Sequence, residues 1–270
     1  MNFKSLSLYS CIACFLLMAY TSFVSYPRWK QQGGEALISW DVSGYYMYLP
    51  AAFIYKDIKH FSFRDSVINK YQPGDYQAFK VDNGNYVFKY SAGMAVMYSP
   101  FFAIANALAT PLGYPKDGFS PPYQLAVQLG GFLVALIGIW YFRKLLLQFY
   151  SDTVAAITLL LLVFGSNYLN YGGVDLGMSH AWLFTIYTFI LLNTNYFYKA
   201  QHYKYVIRLG FLIGLATLAR PTEIISCFIP LLWGLERISL ETIRERFSFL
   251  IAQRRRLLVA AVCAAIGVAT

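Results

Sequence analysis

Charge is what this sequence has least of. Asp, Glu, Lys and Arg make up 13% of its residues, about half the ~25% usual in soluble domains, which argues against a water-soluble globular surface. Histidines number three, His60, His180 and His202, so a zinc site built on histidine is not expected. The four cysteines (Cys11, Cys14, Cys227 and Cys263) all fall inside apolar segments and imply no disulfide framework. Cys11 and Cys14 have redox spacing, but an apolar helix lacks the exposed, electropositive setting that makes a thiolate; both are read as packing residues. No internal repeat or low-complexity segment interrupts the chain.

What fills the space is apolar. Hydrophobic residues reach 58%, aromatics 19%, and the mean hydropathy is +0.46. Uninterrupted apolar runs of around 20 residues have the length that crosses a ~30 Å hydrocarbon layer as a helix. The expected spans are residues 5–26, 123–141, 153–171, 180–198, 206–219 and 222–235, with an unfinished run over 257–270 that reads as the opening of a further helix in a longer chain. The first run is too long for a signal-peptide core and no A-x-A site closes it, so it is read as a retained helix.

The net charge of +9 would suggest nucleic acid if it formed one patch. Instead, the cations cluster at the ends of apolar runs, and no nucleic-acid partner is expected. Lys and Arg in short loops stay cytoplasmic. Lys4 therefore puts the N-terminus inside, and Arg143-Lys144, Lys199, Lys204, Arg208, Arg237, Arg244, Arg246 and Arg254–Arg256 follow it. Twelve of the 22 cations fall in these inner segments, and Arg220 alone lies in a short outer one. The scheme holds if residues 27–122 form one long outer loop and the apolar stretch 91–113, broken by Pro100 and Pro111, lies in the interface. The expected fold is an all-α polytopic membrane protein of the plasma (inner) membrane. Its long outer loop carries juxtamembrane helices and a small hairpin, with Asn83-Gly84 as a two-residue turn.

Candidate chemistry gathers in that loop. Asp41, in Trp40-Asp41-Val42-Ser43-Gly44-Tyr45-Tyr46, is a carboxylate among aromatics at a membrane surface, suited to a general base; a helix cap or a solvated loop residue is the plainer reading. Lys89, delivered by the hairpin, is placed to meet a phosphate or to snorkel toward headgroups. Asp175 and His180 flank a helix start, where capping is the plainer role. Arg220, in Arg220-Pro221-Thr222-Glu223, interrupts a long apolar stretch. A charge there is functional by default, unless Glu223 pairs with it at i,i+3. A divalent ion held by Asp41 and Asp175 is the only metal option.

These residues, in this order, resemble the GT-C superfamily of membrane glycosyltransferases, closest to the protein O-mannosyltransferase and aminoarabinose-transferase-like families. The likeness rests on Asp41 soon after the first helix, on Lys89-Tyr90-Ser-Ala-Gly93 followed by Pro100-Phe101-Phe102, and on Gly214-Leu-Ala216-Thr-Leu-Ala-Arg220-Pro221. Val42 and Ser43 stand where many relatives carry a second acidic residue beside the catalytic Asp. The resemblance implies transfer of a sugar from a polyprenyl phosphate to an acceptor hydroxyl on the outer side, with inversion. It makes Asp41 the base; Arg220, Lys89 and His180 would meet the leaving phosphate. Trp40, Tyr45, Tyr46 and Asp175 would contact sugar or acceptor, although the aromatics also suit an interfacial belt. Two other functions fit the composition: a transporter or lipid flippase, and a non-catalytic membrane protein of the same fold.

Overall fold

A computed structural model describes residues 5–74, 77–235 and 239–269, with the side chains of 268 and 269 left aside. Lys4 and Arg237, both used above for topology, lie outside the described residues. The structure is mostly helical and divides into two compact units, Met1–Thr185 and Ile186–Thr270.

The first unit opens with α1 (Leu6–Tyr20), extended by a π-helical turn over Thr21–Ser25. Two 3-10 turns, Arg28–Lys30 and Gly33–Glu35, lead into the short helices α2 (Trp40–Tyr46), α3 (Tyr48–Phe53) and α4 (Arg64–Tyr71). Strands β1 (Ala78–Lys80) and β2 (Tyr86–Phe88) pair antiparallel with Phe79 opposite Val87. The hairpin is where expected, but its turn differs. Val81 donates its N–H to the Asn85 carbonyl, and Gly84 donates to Val81, leaving a three-residue loop. Gly84, at φ +85°, supplies the left-handed residue that such a loop needs at its last position.

Helix α5 (Gly93–Leu108) covers the stretch expected at the interface. Pro100 inside it leaves the Val96 carbonyl without its helical donor; the Ser99 hydroxyl donates to that carbonyl instead, at 2.7 Å. These pieces close around aromatic rings. Tyr46, fully buried, lies 5.9 Å from both Phe102 and Phe119. Tyr48 stacks on Phe88 at 4.2 Å, and Tyr55 on Phe63 at 3.9 Å.

Helix α6 (Pro121–Leu146) follows, with prolines in its first turn, where no amide hydrogen is needed. The expected span 153–171 is two helices, α7 (Asp152–Phe164) and α8 (Tyr168–Gly173). They part at Gly165-Ser166-Asn167, where the Ser166 hydroxyl caps the Leu162 carbonyl and accepts from the Tyr168 N–H. Helix α9 (Ser179–Ala200) continues from the first unit into the second.

Polar clamps give the bundle of the first unit two distinct ends. At one, Arg143 of α6 donates to Ser7 and Ser5 at 2.8 Å, and Ser5 donates to Asp152 at 2.8 Å. At the other, Gln128 donates to the Ser22 carbonyl at 2.6 Å and accepts from the Trp29 N–H at 2.9 Å. One turn away, Gln124 accepts from the Ile38 N–H at 2.8 Å. Helices α1 and α6 therefore run antiparallel, with Arg143-Lys144 at the end opposite the 27–120 segment.

In the second unit, α10 (Tyr203–Ala219) leads to a 3-10 helix, Pro221–Cys227, and α11 (Phe228–Leu232). The expected helix over 222–235 is thus replaced by a 3-10 stretch and a single short turn. Pro221 and Pro230 each remove an amide donor there. Two more helices follow, α12 (Leu240–Ala252) and α13 (Arg254–Ala269). The sequence reading left out α12; a Ser239–Thr242 capping box starts it. Helices α10 and α13 pack closely because Gly210 and Gly214 lack side chains. A Cβ on them would lie 2.3 Å from the Ala260 carbonyl oxygen and 2.4 Å from that of Ala264. Small residues four apart let two helix backbones approach in this way.

Among the described residues two helical segments are long and apolar enough to cross a membrane, Leu6–Lys30 and Pro121–Leu146. Both coincide with expected spans.

Candidate functional site

The site is organised by α2, one of the shortest helices. Its first residue, Trp40, has φ +46°, a left-handed conformation that costs a bulky residue about 1–2 kcal/mol. The surroundings hold it there. The Trp40 N–H donates to the Pro73 carbonyl at 2.8 Å, and its indole N–H donates to the Gly34 carbonyl at 3.0 Å. The residue is 52% exposed. Asp41 comes next, in the first helical turn, half-buried. Its carboxylate accepts no hydrogen bond and forms no ion pair among the described residues, so neither capping nor a salt bridge consumes it.

Three segments from distant parts of the chain meet α2. The first is the turn after α1. Arg28 reaches past it, pairing with the Asp175 carboxylate and donating to the carbonyls of Glu35 (3.0 Å) and Ala36 (3.1 Å) and to the Ser39 hydroxyl (3.3 Å). The second is the end of the hairpin. Gly44 admits it, because a Cβ there would sit 2.5 Å from Gln77 Cβ and 2.8 Å from the Tyr90 ring. Tyr90 then packs on Tyr45 with centroids 4.2 Å apart, and Lys89, exposed, lies over the Tyr90 ring at 5.0 Å. The third is the 174–178 loop. Val42 fills the space that a side chain on Gly177 would need, and Tyr98 of α5 donates to the Gly177 carbonyl.

The residues singled out from sequence divide on this geometry. Asp41, Trp40, Lys89 and the loop bearing Asp175 are gathered at or around α2. His180, one residue into α9, stacks face to face on Tyr171 at 3.8 Å. Tyr45 and Tyr46 are not surface platforms: both are buried, and the Tyr46 hydroxyl donates to the Gly118 carbonyl at 2.6 Å. Their rings serve the core, which corrects the expectation of sugar stacking or an interfacial belt. Asp175 is likewise occupied. One carboxylate oxygen takes Arg28 and the other takes Asn170 at 2.9 Å, so it braces the site. Among the described residues no group of three or more His, Cys, Asp or Glu gathers.

Arg220 belongs to the second unit, at the junction of α10 and the 3-10 helix, and its guanidinium has no partner among the described residues. The i,i+3 pair with Glu223 is not made. Glu223 instead accepts from the Tyr187 hydroxyl at 2.5 Å.

Arg28, Gly44 and Asp117 were missed by the sequence reading. Arg28 had a readable signal, since it and Lys30 sit just past the first helix, at the end that the expected topology makes the outer one, where cations are disfavoured. Asp117 accepts from Tyr71, from Lys70 at 3.0 Å and from the amides of Phe119 and Ser120 at 3.0 and 2.9 Å. Burial pushes its carboxyl up, but these donors outweigh burial and hold it below the ordinary carboxylate value. Burial, together with the hydrogen bond to Asp117, raises the Tyr71 phenol to about 12. Neither Gly44 nor Asp117 carries a local sequence signal.

Compared with known proteins, the chain matches no known family, no curated protein and no solved structure.

Proposed function

We propose that this chain is a multi-pass membrane glycosyltransferase of the GT-C kind, with its N-terminus cytoplasmic and its 27–122 segment on the outer side of the plasma membrane. The reading of the membrane rests on the apolar runs, on the cation pattern and on two antiparallel apolar helices whose Arg143-Lys144 end lies away from the 27–120 segment. The observation that carries the chemistry is Asp41. It is a partly exposed carboxylate without a partner among the described residues, on a short helix that three separate segments converge to position.

In this mechanism Asp41 takes the proton from an acceptor hydroxyl. The acceptor oxygen then forms a bond to the anomeric carbon as the bond to the polyprenyl phosphate oxygen breaks, inverting the centre. Negative charge grows on the departing phosphate, and fixed cations aimed at it lower the barrier. Lys89, exposed over the Tyr90 ring that packs against α2, is the cation proposed for this role, with His180 of the same unit as the second candidate. The donor is a membrane lipid, so a site at the membrane surface suits it.

The test is transfer of a radiolabelled sugar from a polyprenyl-phosphate donor by the purified full-length protein. Asp41→Asn should lower turnover by about 10²–10⁴-fold, the usual worth of a positioned base, without changing thermal stability. Full turnover in that variant removes Asp41 as the base. Uptake of substrate by proteoliposomes with no glycosyl transfer would instead favour a transporter or flippase. Unchanged cellular function in Asp41→Ala, with loss of a binding partner, would favour a non-catalytic membrane protein.

A further inference from the structure

A cavity of about 590 Å³ opens in the first unit beside the proposed catalytic helix. Its wall is shared with the support of α2. Gly33 and Gln72 line the cavity, while their chain neighbours Gly34 and Pro73 accept the two hydrogen bonds from Trp40. None of the residues named above as candidates for the transfer lines it.

The lining has a distinct chemistry. The lining includes the aromatic residues Trp29 and Tyr71, the latter with the Lys70 ammonium over its ring at 4.8 Å, the amide residues Gln32 and Gln72, which both donate and accept, and the cations Lys30 and Lys70. No carboxylate lines the cavity among the described residues. The two lysines are not equivalent. Lys70 is paired with Asp117 at 3.0 Å, so its charge is largely answered. Lys30 is exposed, lies over the Trp29 ring at 5.0 Å and has no carboxylate partner among the described residues. Among the described residues, the cavity therefore carries about one positive charge without a carboxylate partner.

Ring faces suit the C–H faces of a pyranose. Exposed amides suit its hydroxyls, since each hydroxyl is also both donor and acceptor. A single free ammonium suits one carboxylate, and a purely apolar ligand would leave the amides and lysines desolvated without partners, which is costly. We infer that this cavity binds a saccharide bearing one acidic group, held by Trp29 and Tyr71 on its ring faces and by Lys30 on its charge. The inference rests on the transferase reading only in naming that saccharide as the acceptor; binding itself does not depend on transfer.

The experiment is calorimetric titration of the purified full-length protein in detergent with three probes: a glucuronate-terminated disaccharide, its neutral glucose counterpart, and acetate. The acidic disaccharide should bind about tenfold more tightly than the neutral one, as one added charge contact allows, and acetate should not bind measurably. Lys30→Gln, at an exposed side chain with little bearing on folding, should erase that preference, while Trp29→Ala should weaken both sugars. Equal binding of the two disaccharides, binding of acetate as tight as that of the acid sugar, or no binding at all would overturn the inference. Binding without transfer by the parent protein sinks the transferase reading and leaves the cavity assignment standing. Transfer to an acidic saccharide whose KM ignores Lys30→Gln does the reverse.

Discussion

The 27–120 segment and the helices of the second unit solve the same problem by opposite means. Between residues 27 and 120 regular structure comes in short pieces separated by irregular backbone, several of whose polar groups are met by side chains. Gln124 and Gln128 hold the Ile38 and Trp29 amides, Asp117 holds those of Phe119 and Ser120, and Arg28 holds the carbonyls of Glu35 and Ala36. Helices α10 and α13 satisfy their own backbones and need only closeness of fit, which Gly210 and Gly214 provide. Side-chain bonds from distant helices specify position at each atom they reach, whereas a helix pair held by shape specifies mainly distance. A partly exposed carboxylate on a two-turn helix needs the first kind of support, and α2 has it.

The contrast can be broken most forcefully at Tyr46. Tyr46→Ala removes a fully buried ring and should destabilise the protein by about 3–5 kcal/mol, read as a large drop in the thermal midpoint in detergent. Trp40→Ala, six residues earlier but half exposed, should cost far less and affect donor or acceptor KM instead. If the two variants are equally destabilised, α2 is not divided into a core face and a site face.

Gly214→Leu tests the other region. Its side chain would meet the Ala264 backbone and should cost about 1–3 kcal/mol through overpacking. Arg28→Ala strands the partly exposed Asp175 carboxylate, and about 2 kcal/mol is expected, below the 3–5 kcal/mol for a fully buried pair. Arg28→Ala should also lower turnover, whereas Gly214→Leu should act on stability alone. Equal losses of turnover in both would deny the 27–120 segment its special role.

A third comparison uses pH. Because Asp117 has a folded-state value below its unfolded one, its contribution is present above the ordinary Asp value, ~3.9, and is lost as pH falls through the folded value. Tyr71 works at the other limit: its raised phenol contributes fully below ~10 and is lost as pH climbs to about 12. Asp117→Asn should flatten the acid limb of a stability–pH curve, and Tyr71→Phe the alkaline one. An acid limb unchanged by Asp117→Asn would place the titrating group elsewhere. The smallest effect should be Lys89→Ala, within about 0.5 kcal/mol for an exposed side chain. Its readout is therefore transfer rate, uncluttered by folding.

Much of the helix inventory was legible beforehand. The runs 5–26 and 123–141 needed only hydropathy and length, since a span advertises itself in every residue it contains. The break at Gly165-Ser166-Asn167 carries turn residues, but the apolar residues around it make the stretch read as one span. Helix α12 was passed over because its charged, amphipathic pattern carries no span signal. At the site, Asp41 was singled out as a carboxylate among aromatics and by the family resemblance, not by composition alone. Tyr45 and Tyr46 were misplaced because an aromatic residue reads the same whether it faces a sugar or a core.

Sequence alone determined the apolar character, the helical class and the ends at which charge collects, because each is a property of composition or of neighbours along the chain. Only the tertiary structure decided that Arg28 spends its charge on Asp175, that Gly44 lets the hairpin reach α2, and that Asp41 is left without a partner among the described residues. Those outcomes depend on groups up to 147 positions apart meeting in space, and no local pattern records which of many polar side chains will find each other there.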